Sequence, residues 1–418
     1  MTVRTTGCRY IWSVGTKRWI GALKQRNFRV FFIGQAASQI GTGMVPVAIS
    51  FAVLAHGSAS DVGFVLAAGT VPLVVFLLVG GVIGDRMSRR LVMLGSDVLR
   101  FLAEGVLGLW ILVGRPPLWG FIALVAIMGV GEAFFTPAMT GLVTQLLDDE
   151  NLQQGNALNG LAESGGGILG PALAGVIVAI SSPGWAVLVD AFTYLVSVVS
   201  LAMVRVNWSV VKPDETFMVL LREGWQQFWS RTWLWTVVVA SSLFNMVIFA
   251  PYLVLGPVVA KEHLGGATAW GIVLASLGAG ALVGGTVMLR VHPSRPLFVG
   301  LVTSFVWAVP LLAMAWRPST LLVAIGSFLG GVSMSIFNAL WNTTVQREIP
   351  TEVLSRVSAY DWFGSLAFLP IGMAVVGPLA IEVGDTAVLV TAAALTVVLT
   401  AAVLMVPSVT RLRSPQPA

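Results

Sequence analysis

Between Phe28 and Val406 the chain repeats one pattern: a long apolar run, a short cluster of charged and turn-forming residues, then another apolar run. Each run is long enough to cross about 30 Å of hydrocarbon as a helix. The pattern predicts twelve spans, at 28–54, 62–83, 91–114, 117–147, 155–181, 184–205, 232–260, 266–290, 296–316, 319–346, 354–381 and 384–407. The strands of a membrane barrel would alternate in polarity over about ten residues, and these runs do not. One run alone would fit a signal peptide or a single anchor; their succession does not.

The longest polar connection covers 206–231. Within it, Phe217, Leu220, Leu221, Gly224, Trp225, Phe228 and Trp229 fall near helical spacing, which predicts an amphipathic helix joining two six-span units. Weak internal similarity supports the division: "TQLLDDENLQQGNALN" follows the fourth span and "VQREIPTEVLSRVSAY" the tenth, with Gln145 and Gln346 equivalent. Parallel six-span repeats are a recurring carrier architecture. The expected organisation is an amino-terminal segment 1–27, a first helical half 28–205, a linker 206–231, a second half 232–407 and a tail 408–418. Within the first segment, Trp12, Trp19, Ile20 and Leu23 lie among basic residues, as in a helix resting on a membrane surface or in an ordinary solvated terminus.

Composition agrees with a bilayer protein. Hydrophobic residues make up 56% of the 418 and charged residues only 10%, against about 25% charged in soluble domains. The net charge of +5 is unevenly placed. Lys and Arg crowd the amino-terminal segment and every second loop, including Arg86, Arg89 and Arg90, then Arg205, Lys212, Arg222 and Arg231, then Arg290, Arg295, Arg347 and Arg356. The intervening loops hold only Arg115, Lys261 and Arg317. Basic loops stay in the cytoplasm, so both termini are expected there, and the charge needs no nucleic-acid partner to explain it. The single Cys8 cannot form an internal disulfide, His56, His263 and His292 are scattered, and no Cys/His set has metal-ligand spacing. With no GxxxxGK[ST] loop either, neither a metal, a cofactor nor intrinsic ATP hydrolysis is expected, and a polytopic enzyme is disfavoured.

The densest mixed-charge cluster lies in "GGVIGDRMSRRLVM", residues 80–93. It resembles the loop between the second and third spans of the major facilitator superfamily, a Gly, three residues and then Asp-Arg-x-Gly-Arg-Arg. Gly81, Asp85, Arg86, Arg89 and Arg90 match, and Ser88 replaces the usual Gly. The resemblance covers nearly the whole chain and is nearest to the exporter branch that includes enterobactin and macrolide efflux proteins. It is carried by "RNFRVFFIGQAASQIG", "SDVLRF", "NALNGLAESGGGILGPALAG", "LREG" and "PTEVLSRVSAYDWFGSLAFLPIG". It implies a central cavity lined by the first, fourth, seventh and tenth spans. It also implies that Gly81, Asp85, Arg86, Arg89 and Arg90 form a conformational latch against the eleventh span near Arg356. Topology signalling alone would account for the arginines but not for Asp85. Gly166, Gly170, Pro171 and Gly175 resemble the family's antiporter signature, with Gly278, Gly280, Gly284 and Gly285 of the eighth span as an expected facing surface; ordinary close packing of helices is the alternative.

Ionisable residues inside spans each cost about 2.5–3.5 kcal/mol at a helix centre on insertion scales, so each one asks for a reason. Asp97, Arg100 and Glu104 share one face of the third span and are expected to neutralise one another as a structural network. Asp190 falls near the end of the sixth span, where it is expected to reach the interface. Glu132 lies mid-span with no cation within a turn in sequence. A carboxyl desolvated there would exchange a proton near neutral pH, which makes Glu132 the first proton-coupling candidate and Glu163 and Asp361 the next; satisfaction by a neighbouring helix is the alternative. Gln35, Gln39, Asn245, Asn338, Trp341 and Asn342 are candidates for the cavity wall or for interhelical hydrogen bonds. A few amides and an acid among aromatic rings suit a mostly apolar solute, cationic or amphipathic. The expected function is therefore a monomeric, multi-pass transporter of the inner or plasma membrane that exports small amphipathic molecules, a drug, antibiotic or siderophore-like metabolite, in exchange for protons. Uptake or facilitated diffusion on the same fold is the alternative.

Overall fold

The computed structural model describes residues 21–206, 217–291, 293–317 and 319–412; within these, the side chains of 77–86, 149, 217–221, 223, 351, 352 and 355 are not described. The segment around Trp12 and Trp19 therefore lies outside the described residues, as do the side chains of Gly81, Asp85 and Arg86. Among the described residues there is no strand. Leaving aside single turns at Gly21–Lys24 and Pro407–Thr410, the helices are α1 (Arg26–Leu54), α2 (Ala59–Arg86), α3 (Arg89–Val113), α4 (Leu118–Leu146), α5 (Asp149–Ile180), α6 (Pro183–Met203), α7 (Phe217–Trp229), α8 (Thr232–Leu264), α9 (Ala267–Met288), α10 (Pro296–Trp316), α11 (Thr320–Glu348), α12 (Thr351–Leu366), α13 (Leu369–Val383) and α14 (Asp385–Leu404).

Among the described residues, eleven helical stretches are long and apolar enough to cross a membrane, the joined Arg356–Val383 among them. The remaining long helix is α3, whose 25 residues would extend roughly 37 Å at 1.5 Å per residue. Its sequence explains why it is the most polar. Leu91, Val98, Leu102, Val106 and Leu109 form an exposed apolar stripe, while Met93, Ser96, Asp97, Arg100, Ala103, Glu104 and Leu107 are buried on the other side. A helix with lipid on one face keeps its polar groups on the face that neighbouring helices cover.

The helices before residue 206 meet those after 217 along two seams. In the first, α5 lies on α9: a Cβ added to Gly271 would sit 2.4 Å from the Pro171 carbonyl oxygen, and one on Gly278 would sit 2.7 Å from that of Gly167. In the second, α2 lies on α13: a Cβ at Gly63 would fall 2.1 Å from the Met373 carbonyl oxygen. Without a hydrophobic drive between helices in lipid, such backbone proximity is what gives dispersion forces their hold. At the end of the bundle opposite the chain termini, Lys261 Nζ also donates to the Leu54 carbonyl. The glycine surfaces differ from the sequence expectation. Gly166 and Gly170 pack on α1 against Gln39 and Ile40, whereas Pro171 and Gly175 face α9. Of the four α9 glycines named above, Gly278 faces α5, while Gly280 and Gly284 lie against Phe328 and Val332 of α11 and Gly285 approaches Ser335 of the same helix. A helix has small residues on more than one face, and their spacing in the chain does not say which neighbour each one admits. Gly271→Val is expected to force α5 and α9 apart and abolish transport while the protein still inserts; surface expression and accumulation assays check both halves of that statement.

The linker helix α7 forms over the segment expected, but only part of its aromatic face is covered. Gly224 and Phe228 are buried against α12, where a Cβ on Gly224 would lie 2.9 Å from that of Arg356, while Trp225 and Trp229 stay half exposed. Arg356 is thus packed beneath the linker. The arginines after α2 are likewise bound to neighbouring helices: Arg89 Nη1 donates to the Gly141 carbonyl at 2.7 Å, and Arg90 Nε and Nη2 donate to those of Leu201 and Ala202 at 2.7 Å. The last two carbonyls are at the carboxy-terminal end of α6, where a guanidinium satisfies orphan acceptors and the helix dipole together.

Candidate functional site

Two polar sites stand inside the bundle, one on each side of the seams. The site on α8, α10–α12 and α14 is a cavity of about 350 Å³. Its shape follows from two breaks in helical regularity. Pro370 sits in the first turn of α13; it has no N–H to give and its ring excludes the carbonyl four residues back, so α12 and α13 separate at Ala367 and Phe368. The backbone groups freed there are satisfied from α8: Phe368 N donates to Ser242 Oγ at 3.3 Å, and Asn245 Nδ2 donates to the Ser365 carbonyl at 2.9 Å. Asn245 in turn begins a π-turn over Asn245–Phe249, an irregularity frequent at functional positions. Broken helices around a mid-membrane space are a recurring way to build a transport site.

Five of the sequence candidates converge on this cavity: Asn245, Asn338, Trp341, Asn342 and Asp361 all line it. Asp361 is buried, accepts from Trp341 Nε1 at 2.9 Å and from Ser365 Oγ at 3.4 Å, and is the one ionisable side chain among the described residues that line the cavity. Around it stand Phe244, Phe249, Trp307, Phe337 and Trp362, none of which sequence reasoning singled out. Trp362, in the same wall, is 60% exposed, so the cavity has an open side. A single carboxylate among aromatic faces can hold a cation by charge and by ring quadrupoles while the rest of the ligand rests on apolar surface. Gln35 and Gln39 do not line this cavity. Gln35 is buried in α1 with Oε1 unpartnered, and Gln39 is half-buried with its backbone against Gly166. Glu163 is on the exposed side of α5.

The second site spans α3, α4 and α6. Asp97 is wholly buried and pairs with Arg100 Nη2 at 2.5 Å, and its other oxygen accepts from Ser197 Oγ at 2.6 Å. Arg100 Nη1 pairs across to Glu132 of α4, which also accepts from Thr136 Oγ1 at 2.9 Å. The guanidinium carbon lies 4.4 Å from the ring centroids of both Phe135 and Tyr194, so the cation is held between two aromatic faces. Burial is graded along the chain of charges: the side chains of Asp97 and Arg100 are 0% and 3% exposed, and that of Glu132 is 39% exposed. Glu132 thus has a cation partner, supplied from another helix. Two expectations need correction. Glu104 is not bonded to Arg100; its carboxyl faces Asp190 of α6. Asp190 does not reach an interface and is fully buried, because α1 and α3 cover it on both sides. Asp190, Thr193, Tyr194, Ser197 and Ser200 recur at three- and four-residue spacing on α6, a polar stripe that could have pointed to the face opposite α3.

At the end of the bundle opposite the chain termini, Glu262, His263 and Asp385 bring potential ligand atoms within 4.8 Å of one another. Arg317 occupies that position, pairing with Asp385 and lying 2.6 Å from His263 Nε2 through Nη1. A fixed guanidinium among these groups fits a structural clasp between α8, α10 and α14 better than a metal centre.

An all-helical, multi-pass membrane protein with a broken-helix cavity on one side and a buried charge chain on the other has the build of a solute carrier. The chain belongs to the Major Facilitator Superfamily, which it matches over residues 31–365. It is similar to macrolide efflux protein A of Streptococcus pyogenes (24% identical over 361 residues, 83% of this chain and 87% of that one). It is also similar to the multidrug efflux pump Tap of Mycolicibacterium fortuitum (27% identical; 82% and 87%) and to the enterobactin exporter EntS of Salmonella typhi (24% identical; 84% and 85%). Its fold superposes on a peptide transporter POT bound to sulfate with a TM-score of 0.77, covering 93% of this chain and 96% of that one at 11% identity. The nucleoside transporter NupG gives 0.71, covering 91% and 98% at 12% identity.

Proposed function

We propose that this protein exports small amphipathic molecules bearing a positive charge from the cell by alternating access, and that protons moving inward drive the export. The observation that carries the reading is the cavity around Asp361: one buried carboxylate, amides from Asn245, Asn338 and Asn342, and a surround of Trp and Phe rings. Relatives named for efflux of a macrolide, of several drugs and of a siderophore support the direction and the breadth of substrate. In this reading α3 is the twelfth span, and two six-helix halves, 28–205 and 232–407, rock about the α5–α9 and α2–α13 seams. Both termini face the cytoplasm, the cell membrane is the site of action, and the monomer is the working unit. Gly81, Asp85, Arg86, Arg89, Arg90 and Arg356 belong to the cytoplasmic latch, and Glu132 is a proton-coupling group. Each elementary charge crossing 100 mV releases about 2.3 kcal/mol, enough to support a gradient of more than tenfold.

The test is accumulation of a panel of fluorescent cationic and neutral amphiphiles in cells with and without the protein, before and after a protonophore. Lower accumulation of the cations, reversed by the protonophore, is the expected result. Higher accumulation in expressing cells would show uptake instead, and an effect the protonophore leaves untouched would remove the proton from the mechanism.

A further inference from the structure

We propose that Glu104 and Asp190 form a proton-binding site behind the charge chain, emptied when Arg100 turns from Glu132 toward them. This rests on the transporter reading above and adds to it the place where the coupling proton is held.

The pair is sealed: both residues are 0% exposed. Their carboxyl groups face each other between α3 and α6. Asp190 Oδ1 accepts from Thr193 Oγ1 at 3.0 Å, but Glu104 Oε1, Glu104 Oε2 and Asp190 Oδ2 receive no donor from the protein. Two carboxyls can bond to each other only through a proton, and two facing carboxylates without water or donors would repel at a cost of several kcal/mol. Gly41 of α1 closes the third side: a Cβ there would lie 2.1 Å from Asp190 Oδ1, which leaves no room for a solvating side chain.

The groups around the pair set up the exchange. From α3 come Arg100, one turn away, and Asp97 beyond it; from α4, Glu132; from α6, Thr193 and Tyr194; from α1, Thr42, whose hydroxyl lies 3.1 Å from that of Tyr194. Four carboxyls therefore share a single cation. Arg100 spends Nη1 on Glu132 and Nη2 on Asp97, while its buried Nε has no acceptor. A donor without an acceptor and two acceptors without a donor thus stand one turn apart on α3, with a third such acceptor on α6. A cationic solute that pairs with the partly exposed Glu132, or a proton that neutralises it, frees Nη1, and the guanidinium can then bond to Glu104 and Asp190. The O–H bond of the shared carboxyl breaks, the electron pair stays on oxygen, and a water molecule entering beside the partly exposed Glu132 takes the proton as hydronium. The reverse motion reloads the pair.

The test uses the full chain, purified and reconstituted in liposomes. A protonated carboxyl has an infrared carbonyl stretch separate from the carboxylate bands. Wild type near neutral pH is expected to show one that Glu104→Gln and Asp190→Asn each remove or shift, with unchanged thermal midpoints showing that these near-isosteric variants remain folded. Wild type without the band, or a band that survives in both variants, would overturn the proposal. In the same liposomes tetraphenylphosphonium serves as a probe of coupling. The wild type is expected to move protons against it, and the double variant to bind it, by tryptophan quenching, without moving protons. Proton movement retained by the double variant would also overturn the site. Failure of the wild type to bind the probe would instead count against the cationic-substrate reading, while the infrared result stands independently.

Discussion

Replacing Arg100 with Met is expected to remove most of the folded protein, and Asp97→Asn in the same chain is expected to restore much of it. Methionine keeps the apolar stem between Phe135 and Tyr194 but ends the ion pairs. The two partners then fare differently. Glu132, with 39% of its side chain exposed, can turn to water. Asp97 is fully buried and keeps only the Ser197 hydroxyl, at 2.6 Å. Removing one member of a buried pair typically costs about 3–5 kcal/mol because the other charge stays behind. Against a total stability of about 5–15 kcal/mol, that is a large fraction. Neutralising Asp97 removes the stranded charge, so the double variant should regain several degrees of thermal midpoint, read from tryptophan fluorescence of the detergent-solubilised protein. Glu132→Gln should give no comparable rescue. Equal rescue by the two would show that Glu132 is as desolvated as Asp97, contrary to the gradient of burial described above.

That gradient also shows where sequence reasoning stops. The spans were legible because lipid imposes a length and an apolar composition on each helix, and α3 declared its buried face through the spacing of Asp97, Arg100 and Glu104. Pairing between helices has no such signature. Nothing near Glu132 in the chain announces Arg100, since the contact depends on how α3 and α4 cross. Glu104 was assigned to the nearest cation in sequence, yet the packing of α3 on α6 turns it toward Asp190. Asp190 itself was placed at the membrane surface by its distance from a helix end, although α1 and α3 extend far enough to cover it. The cavity candidates fared better residue by residue: Asn245, Asn338, Trp341, Asn342 and Asp361 are polar or amphipathic groups in apolar runs, and such groups ask for a common location. Trp307 and Phe244 were invisible because an aromatic ring in an apolar span is ordinary. Only the separation of α12 from α13 at Pro370 and the π-turn of α8 bring those rings around one carboxylate.

For that carboxylate the expectation is selective loss. Asp361→Asn should weaken handling of monovalent cationic amphiphiles by about ten- to a hundredfold in kcat/KM while leaving neutral analogues of similar size nearly unchanged. The side chain is close to isosteric, so the amide oxygen can still accept from Trp341 Nε1 and the amide nitrogen can donate to Ser365 Oγ. What disappears is the charge, and bonds to a charged group contribute about 1.5–3 kcal/mol, the origin of the expected factor. Because the aromatic surround is unaltered, the apolar part of a substrate should still bind, and a neutral ligand never used the charge. Efflux rates from inverted membrane vesicles over a range of substrate concentrations measure both classes in one preparation. Parallel loss for cations and neutral molecules would mean that Asp361 serves the packing of α11 on α12 through Trp341, and the cavity would then owe its selectivity to its rings and amides alone.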